Sequence, residues 1–473
     1  MKLKKVMALS LAAALTCSLA GCGNETAQTA QSSTTADSQE STETQSGGED
    51  VLEEELGYAD IVLGETYADL TASIKVMSHR TDLADTKFPE YIAAFNEMYP
   101  NITVEYETIT DYAEQALLRI EQSDWDIMMI PAVDKKDLGT YFVPYGDLET
   151  VSEQVRFANT WVFDDLVYGI PSTGNAQGIV YNKQVFADAG ITQLPTTPDE
   201  FMSALQAIKE SNPDVIPLYT NYAAEWTMGA WDAYIGGSAT GSAAFMNQEL
   251  IHSASPFSDR GDGTGPYAVY KLLYDAVALG YTEEDYTTTD WEGCKGMINN
   301  GEIGCMVLGS WAYSQMVEAG PNGDDIGYMS FPITVDGKQY ASAGPDYSYG
   351  INVQSSDDNK KAAMVYVKWL TNLSNFSYSE GGIPIDVNGA YPDLYSAFDG
   401  IEFVADEAAL PGEETYLNDL NTQSELMINA GGNRKIMEIV EHAAQGDMSY
   451  DEIMESWNQA WSDAQTTLGI EAQ

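Results

Sequence analysis

Residues 73–77 read Ser73-Ile74-Lys75-Val76-Met77, residues 102–106 read Ile102-Thr103-Val104-Glu105-Tyr106, and residues 126–131 read Asp126-Ile127-Met128-Met129-Ile130-Pro131. The second stretch alternates as a half-buried strand does, and the third is a short buried apolar run. Between the first two, Phe88, Tyr91, Ile92, Phe95 and Met98 recur at three- to four-residue spacing, the signature of one helix face, and Pro100 ends the pattern. Between the second and third, Asp111 with Glu114 forms a capping-box-like start for a helix to about Glu121. Strand–helix–strand order predicts an α/β chain with a parallel sheet, helices on both faces, and ligands at the carboxyl ends of the strands.

Working outward, the alternation continues. Residues 178–181 read as a strand. A helix starts at Thr197, with Pro198 in the first position and Glu200 in the third. Helices are expected over 267–278 and 291–299, then a strand over 304–308. Another helix, capped by Asp357 or Asp358, runs through Leu370, and 434–468 reads as two helices broken near Gly446. There is no internal repeat. A length of 473 residues admits about two to four domains.

Charge and composition remove several function classes. Asp+Glu number 73 against 21 Lys+Arg, a formal net charge of −52. Such a surface repels phosphate backbones, which excludes nucleic-acid binding. Three histidines (His79, His252, His442) and, beyond the first residues, two cysteines (Cys294, Cys305) leave little material for zinc or copper, so neither metal nor cofactor is expected. The Gly261-Asp262-Gly263 and Gly323-Asp324-Asp325 stretches read as surface turns and do not fit calcium-loop spacing. No nucleophile elbow, phosphate loop or His-Glu-x-x-His motif is present, and with so many acids a nearby carboxylate pair carries no signal for glycosidase chemistry. No catalytic residue is assigned, and an enzyme is not expected.

The first residues read as an address. Lys2, Lys4 and Lys5 precede an apolar run over 6–20 that ends in Leu19-Ala20-Gly21-Cys22. Residues 1–21 are therefore expected to be a signal peptide. The ending resembles the bacterial lipobox, which implies cleavage before Cys22 and lipid on its thiol. Residues 23–50 hold Ser, Thr, Gln, Ala, Gly and acids without an aromatic, a composition that does not bury enough surface to fold. The segment 22–70 is expected to be a lipidated cysteine and disordered tether, residues 23–50 reaching about 30 Å, with some order over 51–69. No apolar run of about 20 residues predicts a spanning helix.

Four blocks then carry a family resemblance. The first is Tyr168-Gly169-Ile170-Pro171, Gly178-Ile179-Val180-Tyr181-Asn182-Lys183, Phe186, Ala189-Gly190-Ile191 and Pro195-Thr196-Thr197-Pro198-Asp199-Glu200-Phe201. The second runs from Trp291 to Gly309-Ser310-Trp311, the third is Gly327-Tyr328-Met329-Ser330-Phe331-Pro332, and the fourth is Tyr349-Gly350-Ile351-Asn352 with Lys361-Ala362-Ala363 and Trp369-Leu370. In this order the blocks resemble extracellular solute-binding proteins of family 1, the carbohydrate-binding components of ABC importers. The second block departs from the usual Gly-Lys-Ala-Ala-Met in having Cys294 before Lys295 and Gly304-Cys305-Met306-Val307 as its strand.

The resemblance implies a two-lobed periplasmic-binding-protein fold, with a hinge and an interlobe cleft for a mono- or oligosaccharide. Lobe one would take 71–173 and 345–390, and lobe two 178–340 and 395–473. The protein would be a monomer that delivers its cargo to membrane permease subunits, lipid-anchored at the outer face of the membrane, in a Gram-positive setting. Sugars offer apolar C–H faces and a belt of hydroxyls, which aromatics and polar side chains can meet.

Several residues are candidates for that contact. By family match Trp311, directly after Gly309-Ser310, is the stacking platform, with core packing the alternative. Trp226 and Trp231 stand between ligand and core. Asp346 or Tyr347, at an interlobe crossing, is expected to touch ligand. Arg80 and Asp82 follow the first strand, where the family uses a ligand-binding loop; an Arg–Asp pair that only shapes the turn is the alternative. Asp134 matches another ligand-contact loop. Cys294 and Cys305 are read either as a disulfide or as two small buried hydrophobes. A polyamine or other small solute remains open within the binder class, because an acidic aromatic cage suits a cation, and a secreted carbohydrate-active hydrolase remains open outside it.

Overall fold

The computed structural model describes residues 56–110 and 112–472. The signal peptide, Cys22, the tether as far as residue 55, and the cap at Asp111 lie outside the described residues.

The opening stretch folds as its pattern dictates. Strands Ala72–Ser78, Ile102–Thr108 and Ile127–Met129 lie side by side and parallel, with Ala72 opposite Ile102 and Val76 opposite Ile127. The helix Lys87–Met98, which follows the first of these strands in the chain, buries Phe88, Tyr91 and Phe95. Far along the chain, Ser348–Asn352 joins this sheet antiparallel to Ile127–Met129 and also pairs with Phe142–Val143 and Ile170–Pro171. One apolar core, from Tyr58 to Ile385, serves this first lobe. Residues ahead of 71, expected as tether, belong to it: Tyr58 is fully buried, its amide donates to Tyr145 O at 2.7 Å and its hydroxyl to Asn372 Oδ1 at 3.1 Å. Burying a whole tyrosine with both polar groups bonded fixes the segment to the lobe.

The second sheet runs in the order Ile216–Leu218, Ile303–Gly309, Gly174–Asn182, Lys338–Pro345, Thr334–Val335, with Ile326–Ser330 also on Gly174–Asn182 and Glu402–Val404 on Lys338–Pro345. Here the expectation of a parallel sheet fails at the centre. Gly174–Asn182 is antiparallel to Ile303–Gly309, Ile326–Ser330 and Lys338–Pro345. The reason is topological: the chain leaves the first lobe along Gly174–Asn182 and returns along Lys338–Pro345, so those two strands must run in opposite directions. Separate apolar clusters cover the two faces of this sheet.

Helix boundaries follow local chemistry. Thr197 Oγ1 accepts from Glu200 N at 3.3 Å, with Pro198 in the first position. Gly446, at φ +66°, separates Asn433–Gln445 from Tyr450–Leu468. The helix Asp357–Asn372 is capped one residue earlier than expected: Ser356 accepts from Asn359 N at 3.2 Å, and Asp357 and Asp358 occupy the first turn. Cys294 and Cys305 are free thiols. Successive side chains of Ile303–Gly309 alternate, so Cys305 enters one face cluster while Cys294, on the helix Trp291–Asn299, enters the other. The sheet lies between them, which excludes the disulfide.

The two lobes are joined at three crossings: 171–174, 345–348, and the segment after Ile383, which pairs with Gly174 through N–H···O contacts of 2.6 and 2.9 Å.

Candidate functional site

Ile216–Leu218 and Ile303–Gly309 are parallel, so their carboxyl ends open at the same edge of the second sheet. Trp311 starts the helix Trp311–Glu318 at that edge. Its indole lies across Gly309, where a Cβ would sit 2.5 Å from Trp311 Nε1; only glycine permits that approach. Trp226 and Trp291 complete a cluster. Ring centroids are 5.6 Å apart for Trp226–Trp311, 5.0 Å for Trp226–Trp291 and 5.8 Å for Trp291–Trp311. Trp226 is 44% exposed.

The loops that carry these rings are strapped together. Asp290 N donates to Tyr219 Oη at 2.8 Å, and Ala223 N to Thr289 Oγ1 at 2.7 Å. Thr220 donates to the Glu283 carboxylate from its amide (3.0 Å) and from its hydroxyl. Burial pushes the Glu283 carboxyl up, partly offset by the two Thr220 bonds. Asn221 and Glu225 both hold positive φ, +59° and +56°, so the backbone before Trp226 is fixed in uncommon geometry.

Trp291 is a member of this aromatic cluster that pattern reading missed. It begins a helix capped by Asp290, whose Oδ1 accepts from Glu292 N at 3.1 Å, and the helical period absorbed it. Its spacing to Trp311 within one block was the available signal. Trp231 is the converse case: at 2% exposure it packs edge-on to Phe331, centroids 6.1 Å apart, in the core. An indole so buried packs as core, so Trp231 does not join the aromatic cluster.

Across the cleft, the carboxyl end of Ala72–Ser78 carries the polar side. Arg80 donates from Nε and Nη2 to Asp82 at 2.9 and 2.6 Å, and from Nη2 to Glu380 Oε2 at 2.5 Å. Burial raises the Asp82 carboxyl, but the Arg80 guanidinium outweighs it and holds the group below the usual carboxylate range. His79 lies against Tyr347 at 4.5 Å between centroids and edge-on to Tyr112 at 6.0 Å. Its Nδ1 is buried without a hydrogen-bond partner among the described residues, and burial lowers its proton affinity against the pull of Asp346. Asp346 Oδ1 accepts from Tyr347 N at 2.8 Å, and Asp346 N donates to Thr173 O at 2.8 Å.

The structure therefore gathers the candidates into two groups. Arg80, Asp82, Asp346 and Tyr347 belong to the first-lobe group, while Trp226 and Trp311, with Trp291, form the second. Each is tied beside the start of Gly174–Asn182: Asp346 N donates to Thr173 O at 2.8 Å, while Ser310, next to Trp311, donates from N to Ala176 O at 2.9 Å and accepts from Ala176 N at Oγ at 3.1 Å. Asp134 is exposed on a turn and pairs with Lys136 at 2.9 Å. Among the described residues no His, Cys, Asp and Glu cluster is arranged to hold a metal. Apolar faces opposite charged hydrogen-bonding groups suit a ring with C–H faces and hydroxyl edges.

The sequence profile described as bacterial extracellular solute-binding protein matches residues 81–373. Among solved structures, a manno-oligosaccharide specific solute binding protein of Bifidobacterium animalis subsp. lactis, BlMnBP2 in complex with mannotriose, is 50% identical with a TM-score of 0.82, covering 87% of this chain and 99% of that one. BlMnBP1, the binding protein of an ABC transporter from the same organism, in complex with mannobiose, gives the same identity, coverage and TM-score. The multiple sugar-binding protein of Streptococcus mutans is 26% identical over 249 residues, 51% of this chain and 56% of that protein. The diacetylchitobiose binding protein DasA of Streptomyces coelicolor is 45% identical over 258 residues, 54% of this chain and 56% of that one. These two curated relatives are thus spanned over about half their length. With more than half the chain inside the family profile and a fold that matches solved solute binding proteins across most of its length, the protein belongs to the bacterial extracellular solute-binding proteins, a binding rather than a catalytic family.

Proposed function

We propose that this protein is the substrate-binding component of an ABC importer that captures a manno-oligosaccharide outside the cell and delivers it to membrane permease subunits. The observation that carries the reading is the 50% identity, over 87% of the chain, to proteins solved with mannotriose and mannobiose. Trp311 and Trp226 present apolar faces to the pyranose C–H surfaces. Arg80, Asp82 and Asp346, with the Tyr347 hydroxyl, meet ring hydroxyls from the other lobe. Ligand held by both groups favours closure about the three crossings, and the closed pair of lobes is the form the permease accepts. The protein turns nothing over.

Leu19-Ala20-Gly21-Cys22 supports anchoring through a lipidated Cys22, and no helix among the described residues is long and apolar enough to cross a membrane. Two or three acyl chains would hold the body at the outer face of the membrane. Cys22→Ala would release it to the medium, as a membrane fractionation reads directly.

The deciding experiment is calorimetric titration of the protein with mannose, mannobiose, mannotriose and spermidine, paired with thermal shift. Ligand at a hundredfold excess over Kd stabilises the fold by about 2.7 kcal/mol. Binding of mannobiose or mannotriose, abolished by Trp311→Ala, is the expected result. Binding of spermidine alone, or release of mannose from the oligosaccharides, would overturn the reading.

A further inference from the structure

Phe157 is a bulky residue at φ +60°, a backbone region that disfavours such side chains and persists only where its surroundings impose it. It lies on the first-lobe segment, just after Val155, which bridges to Asp386, and Arg156, whose amide donates to Ile385 O at 2.8 Å. Its ring packs against the first-lobe core and also against one face cluster of the second lobe. It reaches the outgoing crossing itself: a Cβ on Gly174 would lie 2.5 Å from Phe157 Cε2 and 3.0 Å from Ile383 Cβ. One side chain thus touches the outgoing crossing and packs against apolar clusters of both lobes.

Arg156 secures the third crossing. Its guanidinium donates to the carbonyls of Pro384 (2.8 Å), Asp386 (2.5 Å) and Val387 (2.5 Å), which fixes the start of that crossing to the first lobe. The same guanidinium lies 5.2 Å from the Tyr391 ring, and Tyr391 stacks on Phe403 at 5.8 Å and 13°. Phe403 sits in Glu402–Val404, a strand of the second sheet. The Arg156–Tyr391 contact therefore bridges the lobes on the crossing side.

We propose that Phe157 is a wedge, and Arg156–Tyr391 a clasp, that together set the angle between the lobes in the absence of ligand and so tune the affinity of a cleft they do not line. This rests on the proposed function, in which binding is coupled to closure. Removing the wedge changes the population of the binding-competent angle, and apparent affinity changes by the same factor. These are positioning residues: they act through the placement of Trp311 and Trp226 against Arg80 and Asp346.

The test uses the whole protein, with Phe157→Ala and, separately, Tyr391→Ala, whose side chain is 40% exposed and leaves the cores intact. Small-angle scattering gives the ligand-free radius of gyration, calorimetry gives the mannotriose Kd, and a melt gives Tm. Phe157→Ala is expected to shift the radius of gyration and to change Kd at least threefold, tighter binding accompanying the smaller radius. Tyr391→Ala should move both in the same sense by less. A lowered Tm with radius and Kd unchanged in both variants would overturn the proposal and leave Phe157 as core filling. If wild-type protein binds no manno-oligosaccharide, the functional reading fails, while the scattering arm still decides the wedge.

Discussion

The two sides of the cleft are built from different physics. On the second lobe, Trp226, Trp291 and Trp311 hold one another ring to ring, and hydrogen-bonded loops fix the backbones beneath them. On the first lobe the groups are charged or titratable, and they partly satisfy one another: Arg80 is shared between Asp82 and Glu380, and His79 leans on Tyr347 with a buried ring nitrogen left over. The first arrangement supplies area at little entropic cost, because the rings are already ordered. The second supplies direction, because polar groups reject a ligand whose hydroxyls are misplaced. On the proposed function, affinity for a sugar falls to the second lobe and selectivity to the first.

That division can be broken most forcefully with a control inside the aromatic side. Trp231 is core, so Trp231→Ala is expected to cost about 3–5 kcal/mol of folding stability while leaving the Kd of the folded fraction unchanged. A denaturant melt beside a mannotriose titration checks both, and a selective loss of affinity would return Trp231 to the cleft. Trp311→Ala should do the reverse, weakening mannotriose binding by about 2 kcal/mol, roughly thirtyfold, with a small change in Tm. A Kd within twofold of wild type would remove Trp311 as the platform.

Arg80→Met sharpens the polar side. It leaves the carboxylate of Glu380, whose side chain is only 16% exposed, without its guanidinium, so stability should fall by about 1–2 kcal/mol. Selectivity between mannotriose and an isomeric trisaccharide should narrow as well. Unchanged selectivity would mean that the Arg80 cluster only shapes its loop. The smallest effect is on pH. Burial lowers the proton affinity of His79, so the unfolded chain takes up the proton first and stability is lost as pH falls below about 6.5. Asp82, also lowered in the fold, adds a loss only at more acidic pH, below the range of an unfolded carboxylate. The Tm slope between pH 7.5 and about 5.5 should flatten in His79→Gln, and an identical slope in the variant would show that His79 is not its source.

Much of this architecture was legible in the chain. Period-two and period-3.6 patterns located the strands and helices of the first lobe, and the strand pattern put Arg80 and Trp311 just past the carboxyl ends of Ala72–Ser78 and Ile303–Gly309. What local pattern does not carry is direction and depth. Ile303-Gly304-Cys305-Met306-Val307-Leu308-Gly309 is buried along its whole length, so nothing in it distinguishes parallel from antiparallel neighbours. Only the path of the chain through the hinge decides that. Trp226 and Trp231 are five residues apart in similar surroundings, yet one stands in the open and one lies under Phe331. Their depth depends on helices contributed from more than a hundred residues away. Trp291 was hidden for the opposite reason, since a good helix start explained it too well.

The two free cysteines lie on opposite faces of the second sheet, and burial pushes the Cys294 thiol up to about 12 and Cys305 higher still. A thiol so rarely ionised near neutrality reacts slowly with maleimides and iodoacetamides. A body beginning after Cys22 is thus chemically silent toward such reagents, and a cysteine introduced at a chosen surface position becomes its one addressable handle. Replacing the 40%-exposed Tyr391 with cysteine and attaching an environment-sensitive dye would convert lobe movement into an optical signal, making the protein a reagentless sensor for its own cargo.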